Sequence, residues 1–270
     1  MEGLAGSSRK SSDEKIADFL MAFLLLVPLH LPHGCDKVEK TDKDEPEEER
    51  KAMKKEYILF DLDGTLTDPE EGITRSVQYA LNHYGIQERD RKKLIPFIGP
   101  PLRESFMKFY GFSWEQAGEA VWVYREYFAR QGIFENRVIS GAKEMLNELK
   151  AAGRKLYVAT SKPEIYARQI LEHFQMDGAF SFIGGADMEE TRVKKADVIR
   201  YVLHEAGIPD EEKGRTVMVG DREHDIEGAK ENGISSVGVL VGYGSAQELE
   251  EAGADWIVQD LEELTRLLLH

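Results

Sequence analysis

The stretch YILFDLDGTLTDPEEG, Tyr57 to Gly72, decides how this chain folds. Its first four residues, Tyr57 to Phe60, are mostly apolar and bulky, which is the pattern of a buried β-strand. Two carboxylates, Asp61 and Asp63, follow immediately with one residue between them, and Gly64 comes next. Paired acids directly after a buried strand indicate that the strand ends here and delivers both carboxylates to one edge of a sheet.

The composition bounds the kinds of partner and chemistry that the protein can have. The chain has 270 residues, 41% of them hydrophobic, which is enough for one sizeable core. Its formal net charge of −15 argues against nucleic acid as a partner. The single cysteine, Cys35, excludes an intramolecular disulfide. Oxygen and nitrogen groups must therefore carry the chemistry, and any anionic ligand must be held locally.

Residues 1 to 52 form an N-terminal extension that differs from the rest of the chain. Its apolar run, Phe19 to Leu31, is short for a membrane span and contains a proline. Residues 16 to 35 could be a signal or anchor, which would export or anchor the protein. Alternatively, the extension is unrelated to the fold and leads into a charged linker that buries too little apolar surface to order itself, or translation begins at Met53. We favour the last two and expect a cytoplasmic protein whose core contacts no membrane. Oligomeric state has no visible signature.

Strand-like and helix-like stretches alternate from Tyr57 onward, which predicts an α/β domain with a mostly parallel sheet. Amphipathic helices, each closed by a glycine, are predicted over Gly141 to Ala152 and over Lys195 to Ala206. The further predicted strands are Lys155 to Ala159, Ala179 to Gly184, Thr216 to Val219, Ser235 to Leu240 and Trp256 to Val258.

The segment from Glu70 to Arg137 breaks the alternation. It has no convincing strand, only helical periodicity interrupted at Gly99 to Pro101 and at Gly111. The sequence therefore predicts a helical domain over residues 70 to 137, inserted into a core formed by 53 to 69 and 138 to 270. Apolar residues at helical spacing are expected to pack inside it: Ile73, Val77, Ala80, Leu81 and Tyr84, and then Trp114, Val121, Trp122 and Tyr124.

Polar residues follow three of the predicted strands, and a lysine begins the helix after another strand. Parallel sheets bind ligands beyond the carboxyl ends of their strands, so these groups should converge. Clustered carboxylates are tolerated only when a cation or a shared proton compensates them, and oxygen donors suit Mg²⁺. A phosphate is the natural guest of such a site. The converging residues are Asp61 and Asp63, Thr160 with Ser161 and Lys162, Asp221 and Asp225, and Lys194 or Lys195.

The order DLDGT, VATS, a lysine and then VGDREHD resembles the four motifs of the haloacid dehalogenase (HAD) superfamily, from about Met53 to His270. The resemblance implies a Rossmann-like core with the helical insertion as a C1 cap, a lid over the site. It also implies that Asp61 is a nucleophile that forms an aspartyl-phosphate. Asp63 would protonate the leaving oxygen and later activate water.

The same resemblance assigns binding roles. Thr160 and Ser161 would bind the phosphoryl group, together with Lys195, although Lys194 remains an alternative. Arg103, in PFIGPPLRESF, would reach toward a substrate anion. The Mg²⁺ ligands implied are Asp61, Asp221, Asp225 and the backbone carbonyl of Asp63, whereas His224 is expected to be exposed.

The second acid narrows the reaction that the resemblance implies. Family members that displace halide lack it, and the ATP-driven pumps carry threonine there, so Asp63 indicates a phosphatase or, second, a sugar phosphomutase. PFIGPPLRESF resembles a stretch of phosphoglycolate-phosphatase-like and bacterial 5′-nucleotidase-like members. The expected substrate is a small phosphate ester, a nucleoside 5′-monophosphate ahead of 2-phosphoglycolate. The non-enzymatic alternative is a regulatory module that retains the same fold without catalysis.

Overall fold

Eight strands form two sheets in the computed structural model, which describes residues 55 to 270. All six strands of the larger sheet are parallel, in the order β5-β4-β1-β6-β7-β8 once the strands are numbered along the chain. The strands are β1 (Tyr57–Phe60), β2 (Thr67–Asp68), β3 (Arg137–Val138), β4 (Lys155–Pro163), β5 (Phe182–Ala186), β6 (Thr216–Gly220), β7 (Ser235–Val239) and β8 (Trp256–Val258).

The first strand lies in the middle of this sheet because both of its faces are apolar. Ile58, Leu59 and Phe60 have no solvent exposure. Successive side chains of a strand point to opposite faces, so Ile58 and Phe60 join one hydrophobic cluster and Leu59 joins the other. Tyr57 pairs in register with Lys155 on one side and with Thr216 on the other.

Within residues 55 to 270, nine α-helices accompany the strands, and those outside the insertion cover the faces of the larger sheet. Met145 and Leu149 of the fourth helix pack in the cluster that contains Phe60, whereas Val198 and Val202 of the sixth pack in the other. The helices are α1 (Glu70–His83), α2 (Leu102–Tyr110), α3 (Trp114–Tyr127), α4 (Ala142–Ala151), α5 (Glu164–His173), α6 (Lys195–Glu205), α7 (Glu223–Asn232), α8 (Ala246–Ala252) and α9 (Leu261–Leu269).

These observations confirm the predicted α/β class with a Rossmann-like parallel sheet, and they correct individual strand ends. β4 continues past Ala159 to Pro163, with a shift of its register against β5 between Thr160 and Pro163. The prediction that a strand begins at Ala179 is wrong. Asp177–Ala179 forms a 3₁₀ turn, in which the Ala179 N–H donates to the carbonyl of Met176 at 3.1 Å, so β5 begins only at Phe182.

The helical insertion lies between β2 and β3, which pair antiparallel at its base. These two-residue strands escaped prediction because they are too short to show an alternating pattern. The helices end and begin as the sequence dictates: Gly111 closes α2 with φ 66°, and Ser113 caps α3 by accepting from the N–H of Gln116 at 3.2 Å. Residues Arg91–Phe97 form a further 3₁₀ helix in this insertion.

The apolar faces predicted for the insertion are mostly buried, with two exceptions. Ile73, Val121 and Tyr124 are at most 4% exposed. The expectation that Trp114 and Trp122 pack inside is wrong, because they are 57% and 62% exposed. The Trp114 ring instead contacts Arg103, and the Trp122 ring contacts Arg125.

The interpretation of residues 16 to 35 as a signal or anchor lies outside the described residues. Within residues 55 to 270, none of the helices has the length and apolar character that a membrane crossing requires.

Candidate active site

Three buried carboxylates meet at the carboxyl edge of the larger sheet. Asp61 follows β1, Asp221 follows β6, and Asp225 lies in the first turn of α7. One carboxylate oxygen of each lies within 4.8 Å of the others, and each residue is at most 4% exposed. The predicted convergence of these acids at one edge is therefore present in the fold.

The backbone at Gly64 and at Gly242 approaches the Asp221 carboxylate closely and so fixes its position. Gly64 has φ 83°, a conformation that favours glycine, and a Cβ there would lie 2.3 Å from Asp221 Oδ2. A Cβ on Gly242 would meet the same oxygen at 2.3 Å. The backbone N–H of Tyr243 donates to Asp221 Oδ2 at 2.8 Å, and its hydroxyl donates to Asp68 at the base of the insertion.

Lys195 is the lysine that joins the carboxylates. Its Nζ lies 2.9 Å from Asp61 and 2.8 Å from Asp225, and it donates to the carbonyl of Ala159 at 3.1 Å. Burial lowers the pKa of Lys195, but the negative charges of Asp225 and Asp61 outweigh burial and raise it, so the side chain stays protonated. Lys194, at the N-cap position of α6, is exposed and makes no side-chain capping hydrogen bond.

Asp63 has a different environment from Asp61, although only Leu62 separates the two residues in sequence. Lys162 Nζ lies 2.6 Å from Asp63 Oδ2, and the two side chains are 5% and 9% exposed. Burial raises the pKa of Asp63, and the charge of Lys162 opposes that rise without cancelling it. The Asp63 carboxylate is not part of the group of three, so the two acids of DLD are held by different cations.

Thr160 and Ser161 reach the same edge from the end of β4. Thr160 is 1% exposed, and its hydroxyl oxygen accepts from the backbone N–H of Lys162 at 3.2 Å. Ser161 is half-buried and lines a cavity together with Asp63 and Lys162. The end of β4 thus carries Thr160 and Ser161 together with Lys162, whose ammonium pairs with Asp63.

The three carboxylates are suited to hold a metal ion. Burial, followed by the charges of Asp225 and Asp61, raises the pKa of Asp221 to about 8. Burial also raises the pKa of Asp225 to about 6, although the charge of Lys195 opposes that rise. Oδ1 of Asp61 and Oδ1 of Asp225 lie within 3 Å of the Lys195 ammonium but have no hydrogen bond of good geometry among the described residues. Buried, negative, oxygen-only donors with spare lone pairs fit a hard divalent cation. His224 is 36% exposed and outside this group.

A cavity of about 310 Å³ opens beside Asp63 and Lys162, between the helical insertion and the sheet. Arg103, which the resemblance assigns to a substrate anion, lines this cavity, and its guanidinium lies 3.0 Å from Glu190. A second arginine, Arg125, lines the cavity and lies 3.5 Å from the same carboxylate. Five aromatic residues also line it: Phe97, Trp114, Tyr124, Phe128 and Tyr166.

Sequence reasoning placed Lys162 at the strand end but gave it no role, and it missed Arg125 and Glu190. The role of Lys162 could have been found, because a buried acid at the same edge requires a compensating cation. Arg125 and Glu190 meet across the boundary between the insertion and the sheet. Neither has a local signal, since an arginine on a helix and a glutamate in a loop are usually solvated.

Residues 58–239 match the family model described as haloacid dehalogenase-like hydrolase. The chain belongs to this family. The matched segment contains all of the converging carboxylates, so the resemblance inferred from the motifs is confirmed. Family membership also confirms the prediction that the protein is a hydrolase.

Relatives of this HAD-like hydrolase carry several activities in their names. It is 48% identical to a protein of Pseudomonas aeruginosa named 5′-nucleotidase, over 80% of this chain and 97% of that one. It is 39% identical to the tyrosine-protein kinase PtkA of Mycobacterium tuberculosis, over 73% of this chain and 66% of that one. A crystal structure of a predicted phosphatase from Clostridium acetobutylicum has a TM-score of 0.77 and 46% identity, covering 80% of this chain and 98% of that one.

Proposed function

We propose that this HAD-like hydrolase is a Mg²⁺-dependent phosphatase that acts on a small phosphomonoester through an aspartyl-phosphate. The observation that carries the proposal is the asymmetry of the two acids after β1. Asp61 faces Lys195 and the other carboxylates, whereas Asp63 is paired with Lys162 beside the cavity. A nucleophile and a proton donor that stand two positions apart need such different environments.

In the first step, the Asp61 carboxylate attacks the phosphorus of the ester. A bond forms between a carboxylate oxygen and phosphorus while the bond from phosphorus to the ester oxygen breaks. Asp63 donates its proton to that leaving oxygen, and the alcohol departs. Burial raises the pKa of Asp63, although the charge of Lys162 opposes the rise. The raised pKa favours the protonated form that this step requires.

In the second step, water attacks the phosphorus of the aspartyl-phosphate. Asp63, now a carboxylate, accepts the proton of that water. The bond between phosphorus and Asp61 breaks, which releases inorganic phosphate and restores the starting carboxylate. Thr160, Ser161 and Lys195 are the groups available to bind the phosphoryl oxygens during both steps.

Mg²⁺ would be held by Asp61, Asp221 and Asp225, with the backbone carbonyl of Asp63 as a further ligand. When bound, the ion supplies positive charge that offsets the carboxylates and the phosphoryl group. Lys195, 2.9 Å from Asp61, would then hold that carboxylate in position for attack.

For the substrate we favour a nucleoside 5′-monophosphate over 2-phosphoglycolate. The cavity of about 310 Å³ is in the range of pockets for drug-sized ligands, about 300 Å³ and above, and its lining is rich in aromatic residues. The name of the Pseudomonas relative supports the same choice. We assign residues 70 to 137 to a cap domain that covers the site, and residues 53 to 69 and 138 to 270 to the core domain.

Release of inorganic phosphate from a panel of phosphorylated metabolites, with Mg²⁺ and with EDTA, tests this proposal. Release from at least one monoester only when Mg²⁺ is present is the expected result. Phosphate that reappears on the same sugar would indicate a phosphomutase. Because PtkA is named a kinase, the panel includes ATP with a tyrosine peptide, and label on the peptide would contradict a phosphatase. No turnover of any substrate would favour the regulatory module.

A further inference from the structure

Two arginines of the helical insertion share one carboxylate of the core in the wall of the cavity. Arg103 lies 3.0 Å from one carboxylate oxygen of Glu190, and Arg125 lies 3.5 Å from the other. The three side chains are between 10% and 24% exposed. Glu190 comes from the loop between β5 and α6, so the contact joins two separate parts of the chain.

Other contacts hold both guanidinium groups in place. Arg103 stacks 4.4 Å from the ring centre of Trp114, and Arg125 lies 5.3 Å from that of Trp122. Arg125 also donates to the carbonyl of Met188 at 3.2 Å. The arginines would therefore keep their positions if the charge of Glu190 were removed.

With Glu190 in place, the cavity offers little positive charge to a second anionic group. Lys162 is paired with Asp63, and both arginines are paired with Glu190. The other charged residues that line this cavity are all acidic: Glu104, Asp187 and Glu189. An acidic substituent on the substrate would lose its hydration and meet a wall with net negative charge.

An uncharged substituent meets better conditions in the same cavity. The aromatic lining, which includes Phe97 and Tyr166, suits a flat ring.

We propose that Glu190 is a specificity-determining residue, which neutralises Arg103 and Arg125 and so restricts the site to phosphomonoesters whose remaining part is uncharged. This inference rests on the proposed function and refines its substrate class. Nucleoside 5′-monophosphates, with a neutral aromatic base, satisfy the requirement. Phosphorylated acids such as 2-phosphoglycolate do not, because their carboxylate would compete with Glu190 for the arginines.

The test is Glu190→Gln, which keeps the size of the side chain and removes its charge. We expect the ratio of kcat/KM for 2-phosphoglycolate to kcat/KM for AMP to rise about tenfold or more, because the freed guanidinium groups can bind the substrate carboxylate. The matched control is Glu211→Gln, an exposed residue of the 3₁₀ segment before β6, at the opposite edge of the sheet. In this control the ratio should not change.

The preference between the two ligands can also be measured without turnover, as the ratio of their Kd values. In Asp61→Asn protein with and without Glu190→Gln, calorimetry gives the Kd of AMP and of 2-phosphoglycolate. An unchanged ratio in both assays would overturn the inference, as would an equal change in Glu211→Gln or equal losses for both ligands. If the unaltered protein released no phosphate from any ester, the proposed function would fail, and the ratio of binding constants would still decide the role of Glu190.

Discussion

The ammonium group of Lys162 lies 2.6 Å from a carboxylate oxygen of Asp63, in a pair that is almost fully buried. Asp61, two residues earlier, instead contacts Lys195 at 2.9 Å. Each acid of the DLD motif therefore has its own cation. This separation is the physical basis for assigning the attack on phosphorus to one acid and the transfer of protons to the other.

Replacing Lys162 with methionine should change the pH dependence of the reaction. Burial raises the pKa of Asp63 and Lys162 lowers it, so loss of the lysine raises that pKa further. Because Asp63 must be protonated in the first step, the basic limb of the profile of kcat/KM against pH should move up by about one unit. Lys194→Met, at an exposed position near the same edge, is the control and should leave the limb in place. A shift of the limb to lower pH would contradict the role given to Asp63.

Replacing Lys195 with methionine should destabilise the metal-free protein. The ammonium lies between Asp61 and Asp225, and its removal leaves two buried carboxylates without a compensating charge. Breaking a buried pair from one side costs about 3–5 kcal/mol. Urea unfolding in EDTA measures the loss, and Mg²⁺ should recover part of it. Lys194→Met should change the free energy of unfolding by less than about 0.5 kcal/mol. Equal effects of the two substitutions would refute the placement of Lys195.

The metal-free protein should lose stability as the pH rises. The pKa of Asp221 is raised from 3.8 to about 8, because of burial and the charges of Asp225 and Asp61. Between about pH 4 and pH 8 the folded protein thus holds a proton that the unfolded chain has released, and its free energy of unfolding falls with pH. Stabilisation by Mg²⁺ should grow over the same range, since the ion replaces that proton.

Urea unfolding at several pH values, in EDTA and in Mg²⁺, measures both trends. In Asp221→Asn the decline in EDTA should be shallower, because residue 221 no longer titrates. A metal-free stability that rises between pH 5 and pH 8, or an unchanged slope in the variant, would contradict the assignment of the raised pKa to Asp221.

Local patterns account for the parts of the fold and site that the sequence predicts. The apolar residues of β1 and the acids that follow it are neighbours in the chain, so strand, strand end and carboxylate position can be read together. The rule for parallel sheets then brings Asp221 and Thr160 to the same edge. Residue 195 rather than 194 enters the site because its side chain is the buried one at the start of α6.

The remaining features depend on contacts between distant segments. Glu190 meets Arg103 and Arg125 only because the loop after β5 lies against the insertion, and no periodicity in the chain predicts that contact. Helical spacing predicted that Trp114 and Trp122 are buried, yet both lie exposed beside those arginines. Spacing identifies which residues share a face of a helix, but the tertiary fold decides what covers that face.

Trapping a phosphoryl group on Asp61 tests the central claim most directly. The protein is mixed with p-nitrophenyl phosphate and Mg²⁺, quenched with acid and reduced with borohydride, which converts an aspartyl-phosphate into homoserine. Mass spectrometry of the peptide that contains Asp61 should show homoserine at this position, and Asp61→Asn should show neither homoserine nor phosphate release. Phosphate release without homoserine at position 61, or turnover by Asp61→Asn, would contradict the claim that Asp61 is the nucleophile.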